Sequence, residues 1–373
     1  MKYYKIFFPI LVLCMLLVPL FHINMADVTE QENRTLAKFP EMEKKGTINS
    51  NYGKEFENWL GDRFWGRNEL IDARFQVTYK INGRIENEKA FIGDDGWMFE
   101  KSKTLNIPSI ESQRKKIEKD VRILKKFVDK FKDKNIPIYL VIVPDREQLY
   151  QKYWERYYKP KPQLDYGEEM IEFLKDQSNI KIIYPKDEFF RADRKEELFF
   201  KDDGHLTYIG SKLLLEYFLR ATKYGYSEEL KIVPYRDDHH YLSDVLGIKS
   251  SDEEHEGNGV VVKSLKNIEP KIVFKNDGGS SWPLYVNYSS QNAIYHNNLY
   301  IFGICYGYNT ILPYLSHLFE NSHYLRLGPH YRSYNETNER DFYFQQILPK
   351  IHSGDIIVLL TDNVNPLSEV VEN

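Results

Sequence analysis

The sequence predicts an α/β protein: a doubly wound, mainly parallel sheet with an inserted β-hairpin region and an N-terminal membrane anchor helix. Three observations carry this expectation. Short apolar runs of strand length alternate with amphipathic stretches of helix length, the pattern of strand–helix–strand units in a parallel sheet. Two β-branched runs, Val260-Val-Val-Lys263 and Lys271-Ile-Val-Phe274, stand close together between the two halves of that alternation. The chain also begins with Lys2 and Lys5 before an apolar run from Ile6 to Phe21 that carries no charge.

Lysines ahead of an apolar run orient the N-terminus to the cytoplasm and the remainder to the outside. The run is shorter than the ~20 residues that span a bilayer, and Ile23 and Met25 extend it. His22 to Asp27 offers one small residue, Ala26, and no A-x-A cleavage site. Residues 1–26 are therefore expected as an uncleaved signal anchor, with a cleaved, secreted form as the alternative. Leu13 before Cys14 is not small, which makes a poor lipidation site. With Cys14 in the anchor, Cys305 has no intrachain partner and is expected as a free thiol. Residues 27–51 read as a linker and 52–373 as the folded domain.

Within that domain each element follows from its pattern. Ser112 to Lys132 carries a helical stripe of Ile117, Val121, Ile123, Leu124 and Phe127; its lysines form a solvated face. Ile136 to Val143 is a buried strand. A helix over Glu168–Asp176, a strand over Ile180–Tyr184 and a helix over Tyr208–Leu219 follow. After the hairpin region come a strand at Leu299–Gly303, a helix at Thr310–Phe319, a strand at His323–Leu327 and a last strand at Asp355–Leu360.

Composition narrows the function. Net charge is -4, with both signs interspersed, so there is no basic field for nucleic acid. The 28 tyrosines, 22 phenylalanines and 5 tryptophans serve a rich core better than a carbohydrate-facing surface. In a doubly wound sheet, sites form beyond the carboxyl ends of the strands. Two segments qualify. In Phe199 to Gly210, Asp203 and His205 are separated by one residue, and an aspartate accepting from one imidazole nitrogen leaves the other free to take a proton. An aspartate capping the next helix beside a surface histidine is the plainer reading. In Phe302-Gly-Ile-Cys-Tyr306, a cysteine follows a strand that ends in glycine, where a histidine can draw out its thiolate; a buried cysteine acting as a small hydrophobe is the plainer reading. His239 and His240 belong to an acidic loop read as solvated, so no metal is expected. Trp97 after Asp95-Gly96 is expected to plug the core, and Arg63 and Arg67 to pair with acids such as Asp62 and Glu69.

At these residues a resemblance becomes usable. Glu32-Asn-Arg-Thr-Leu-Ala-Lys-Phe-Pro40, Trp59 to Arg67, Gly93-Asp-Asp-Gly-Trp-Met-Phe99, Val143-Pro-Asp145 and Tyr241 to Gly247 occur in order. Together they resemble the alginate O-acetyltransferase group of SGNH-hydrolase-like proteins, the DHHW family, over most of residues 30–360. The resemblance implies an SGNH-hydrolase-like sheet and a triad of Asp203, His205 and Cys305. The D-H-H-W motif is here Asp203-Gly204-His205-Leu206, and the G-D-S-Y element is Gly303-Ile304-Cys305-Tyr306, a thiol in place of a hydroxyl. It further implies acetyl transfer through a covalent intermediate on Cys305 to a hydroxyl of an extracytoplasmic polysaccharide. Backbone donors near Cys305 and Tyr306 would hold the oxyanion; Asn309 is a candidate side-chain donor, with a helix cap as its plainer reading, and Arg326 and Arg332, placed after a strand end, are cleft candidates for contacting sugar or uronate carboxylates. A multipass membrane acyltransferase is the implied source of acetyl groups, and no cofactor is expected. Hydrolysis of such acetyl groups, and a noncatalytic binding or scaffold role, stay open as alternatives.

Overall fold

A computed structural model describes residues 34–44, 46–82, 86–225, 227–235, 241–246, 259–264, 269–276, 283–327 and 334–362, with short pieces at 7–9, 13, 23–26 and 28–29. It divides into two compact units, Met1–Phe91 with Leu242–Ser250, and Ile92–Tyr241 with Ser251–Asn373.

The first unit is built on helices α1 (Tyr52–Arg63) and α2 (Arg67–Asn82). Within residues 27–51, expected as linker, two-residue strands pair at Val28–Thr29 with Arg34–Thr35 and at Glu43–Lys44 with Thr47–Ile48. Arg63 is buried and donates to the carbonyls of Asn24, Ala26 and Ala37. That replaces the surface ion pair expected from its spacing, because a buried guanidinium needs several acceptors that one exposed acid cannot supply. Most of the anchor segment lies outside the described residues. Among the described residues no helix is long and apolar enough to cross a membrane.

The second unit holds the sheet. Its strands are β1 (Ile138–Ile142), β2 (Ile180–Ile183), β3 (Leu230–Tyr235), β4 (Gly259–Ser264), β5 (Lys271–Asn276), β6 (Tyr285–Ser289), β7 (Tyr295–Gly303), β8 (Phe319–Arg326) and β9 (Ile356–Thr361). Seven of them form one sheet in the order β5-β6-β8-β7-β9-β1-β2. From β8 to β2 every pairing is parallel, whereas β6 on β8 and β5 on β6 are antiparallel. The sheet is thus mixed, with an antiparallel edge on a parallel centre. The centre is where β1 and β9 are buried at every position, as continuous apolar runs in a two-sided sheet must be.

Helices cover both faces. On one, α3 (Ile110–Asp129), α4 (Tyr166–Leu174) and α6 (Tyr334–Ile347) pack Leu124, Phe127, Met170 and Phe344 over Leu140, Phe302 and Leu359. On the other, Phe218 of α5 (Tyr208–Ala221) meets Tyr139 of β1 edge to face. Ser109, Asp165 and Thr207 cap α3, α4 and α5 by accepting from backbone amides, each satisfying a donor that the helix leaves open.

Two expectations are corrected. The runs at 260–263 and 271–274 do not form a hairpin: β4 pairs antiparallel with β3, and β5 pairs with β6 at the sheet edge. β-branched alternation marks a strand but not its partner, and each run found a different open edge. The helix expected at 310–319 is a π-turn at Gly307–Ile311 followed by one α-turn at Leu312–Leu315, and β8 already begins at Phe319. Pro313 has no N–H for an i−4 bond, so the ordinary helical ladder cannot run through it.

Candidate active site

Cys305 stands where β7 ends and the chain turns into a helix. The turn is tight because β7 lies between β8 and β9, with Gly303 opposite Arg326 on one side and Leu360 on the other. A Cβ on Gly303 would sit 2.8 Å from both the Cβ and the carbonyl oxygen of Leu360. Only glycine fits without displacing β9. The buried Tyr324 hydroxyl donates to the carbonyls of Gly303 at 3.3 Å and Ile304 at 3.2 Å, and the Leu327 amide donates to Gly303 at 2.8 Å. A strand, a clamped turn and a helix start hold the Cys305 sulfur at the carboxyl edge of the sheet, half-buried and free of disulfide.

Asp203 and His205 arrive on the loop before α5. Phe199 bridges Leu206, and the Phe200 amide donates to the His205 carbonyl at 3.2 Å, so residues 201–204 project as a short loop. Thr207, not Asp203, caps α5. Asp203 is 1% exposed, and one of its oxygens accepts from both the backbone amide of His205 at 2.8 Å and its Nδ1–H at 2.5 Å. That pair of bonds fixes tautomer and ring together. The imidazole Nε2 is left facing Cys305 Sγ at 3.1 Å. Tyr306 ties the two segments again: its hydroxyl donates to the Gly204 carbonyl at 2.8 Å, and its ring meets His205 edge to face at 5.8 Å.

Electrostatics follow from this packing. Burial works against a charged His205, but the Cys305 sulfur and then the Asp203 carboxylate outweigh it and hold the imidazole well above its ordinary range. Burial, reinforced by Cys305, pushes Tyr306 well above the usual phenol range, so it remains a hydrogen-bond donor.

Residues 90–216 match the model of the SGNH hydrolase-like domain of the acetyltransferase AlgX. The match contains Asp203 and His205 and stops well short of Cys305. Over those residues, about a third of its length, the chain is similar to an AlgX-type domain. Its fold is similar to that of Bacillus cereus PatB1 with a sulfonyl adduct, at a TM-score of 0.53 and 13% identity over 78% of this chain and 100% of that one. Other similar structures are a DHHW family protein from Eubacterium siraeum, at 12% identity and a TM-score of 0.49 over 78% and 97% of the two chains, and the O-acetyltransferase domain of Pseudomonas putida AlgJ, at 12% and 0.47 over 76% and 93%. No curated protein sequence matches the chain.

Behind the loop of this AlgX-like domain sits a group that sequence reading passed over. Arg146 follows the Pro144-Asp145 turn at the end of β1 and is 3% exposed. Its guanidinium donates to the carbonyls of Met98, Phe200 and Lys201 at 2.8–3.2 Å and lies over the rings of Trp97 and Phe99. It thereby straps the Asp203–His205 loop to the strand at Met98–Glu100. Trp97 is buried against Tyr150, a core plug that also stacks on this strap. The signal in the sequence was the position of Arg146 just past a strand end. Beside the loop, Lys103 pairs with Glu100 at 2.9 Å. Burial opposes its charge, but Glu100, Glu147 and Asp362 outweigh that and raise it above the usual lysine range.

The remaining cleft candidates fall elsewhere. Arg326 is 3% exposed, a buried part of the wall beside Gly303. Asn309 lines a separate cavity whose lining includes neither Cys305 nor His205. Arg332, His239 and His240 lie outside the described residues, and among the described residues no cluster suits a metal ion.

Proposed function

We propose that this protein transfers acetyl groups to hydroxyls of an extracytoplasmic polysaccharide through a thioester on Cys305. The observation that carries the reading is the line of Asp203 Oδ1, His205 Nδ1, His205 Nε2 and Cys305 Sγ, joined at 2.5 Å and 3.1 Å. In the first half-reaction His205 takes the thiol proton as Cys305 attacks the acetyl carbonyl of an ester donor, then returns the proton to the departing alcohol oxygen. In the second, His205 takes the proton of a sugar hydroxyl as its oxygen attacks the thioester. Sulfur leaves as thiolate and recovers the proton from His205. Asp203 stays ionised throughout and stabilises the imidazolium. Backbone amides at Cys305 and Tyr306 are the proposed donors to the tetrahedral oxyanion.

The match of residues 90–216 to an acetyltransferase domain supports the reaction class. A multipass membrane acyltransferase as acetyl supplier, an N-terminal anchor over residues 1–26 and an extracytoplasmic location belong to the same proposal, supported by the lysine-flanked apolar run. The test is intact-mass spectrometry after exposure to p-nitrophenyl acetate. One acetyl adduct that maps to Cys305 and is lost in Cys305→Ala and His205→Ala is expected. Absence of an adduct on the native protein, with one appearing on Cys305→Ser, would show a site silenced by its thiol.

A further inference from the structure

One helical turn beyond Cys305 lies a cavity of about 220 Å³ that acyl transfer on Cys305 leaves unused. Its volume matches roughly seven waters at about 30 Å³ each, or one sugar ring. Valine, leucine and proline side chains wall it together with Tyr288 and Tyr308. Asn309 lines it at 4% exposure, and among the described residues no hydrogen bond engages its side-chain amide. The amide is open to the cavity it lines, so water or a ligand there can meet it.

Opposite groups are already set. His317 donates from Nδ1 to the Pro313 carbonyl at 2.9 Å, which turns its Nε2 onto Glu269 Oε2 at 2.8 Å. The other oxygen of Glu269 accepts from the Ser264 amide at 3.0 Å. Each carboxylate oxygen keeps a lone pair for a further donor. Ser316 gives its proton to Pro313 and keeps its acceptor side. The lining thus offers an amide with two donors and an acceptor, a held carboxylate and a hydroxyl, on aromatic and aliphatic walls. Among the described residues, no lysine or arginine lines it, and His317 is already engaged by Glu269, so a carboxylated ring would meet the Glu269 carboxylate with no uncommitted cation to offset it.

We propose that this cavity is a subsite for one neutral pyranose residue of an oligosaccharide, its hydroxyls bonded to Asn309 and Glu269. The inference rests on the acyl-transfer reading only in taking that sugar for part of the acceptor. Asn309 stands four positions after Cys305, about one helical turn on, so a chain seated here reaches toward the thioester with a neighbouring residue.

Binding is measured by saturation-transfer NMR on the Cys305→Ala protein, which cannot be acylated. The probes are glucose, mannose, galactose and N-acetylglucosamine, against glucuronate and mannuronate. At least one neutral sugar binds in the millimolar range, both uronates bind at least tenfold more weakly, and Asn309→Ala weakens binding by about tenfold. Glu269→Gln, at a half-exposed position, gives a second reading in a variant that keeps the fold. The proposal is overturned if all four neutral sugars fail, if a uronate binds as tightly, or if both variants bind like their parent. An acetyl adduct on Cys305 of the native protein with no sugar binding would sink the subsite and leave acyl transfer standing. Sugar binding without an adduct would do the reverse.

Discussion

At the scale of single residues, the candidate site is a short line of contacts from Asp203 through His205 to Cys305. The Cys305 sulfur is the strongest influence raising the His205 imidazole against burial. Replacing Cys305 by alanine should therefore lower the pH at which His205 titrates, read from its ring proton by NMR; an unmoved titration would mean the two groups do not interact. The sign for stability follows. A histidine held above its unfolded value contributes fully below about pH 6.5, and that contribution is lost as pH rises through the folded value. Asp203 and His205 were legible in the sequence because two residues of one loop keep their relation whatever the fold does. Cys305, 100 residues further on, was legible as a strand-end cysteine and through a family resemblance, but nothing local could set it 3.1 Å from an imidazole.

At the scale of elements, loops matter more than helices. The loop bearing the Asp–His pair is held by Arg146 through carbonyls on Phe200 and Lys201. Arg146→Ala would strand those acceptors and take from the buried Glu147 its partner at 3.4 Å, leaving it the more distant charge of Lys103. A loss of about 3–5 kcal/mol is expected. Arg146→Lys keeps the charge without the planar fork and should lose less, about 1–3 kcal/mol. Urea unfolding checks both, and an Arg146→Lys protein as stable as the parent would rule out the fork as the holding device. The sequence hides such a strap, because a lone arginine after a strand looks like any surface cation until the fold buries it. The two β-branched runs teach the same lesson: their strand character was legible, but their partners lay across the sheet.

At the scale of the whole molecule, the sheet buries groups whose charge must be suppressed. His323 on β8 stacks between Tyr300 at 4.8 Å and Tyr285 at 6.2 Å and exchanges a hydrogen bond with Tyr285. Burial, helped by Lys350, pushes it down to about 4. Its folded value lies below the unfolded one, so its contribution is full above about pH 6.5 and is lost as pH falls toward 4, where the unfolded chain takes up a proton that the native state refuses. The loss should reach about 2–3 kcal/mol by pH 4. Thermal melts from pH 7 to 4 should show His323→Gln declining less steeply than the parent; parallel curves would remove His323 from the acid response.

Periodicity and the strand-end glycine pointed to an α/β sheet, and the spacing of Asp203 and His205 with the family resemblance pointed to a candidate site at its carboxyl edge, because these are local properties that a short window of chain carries. Strand order, the antiparallel edge, the break in the helix after Cys305, the Arg146 strap and the cavity at Asn309 were decided only by the folded chain. Each depends on which distant residues pack together, and burial gives those residues a role that their sequence neighbours do not record.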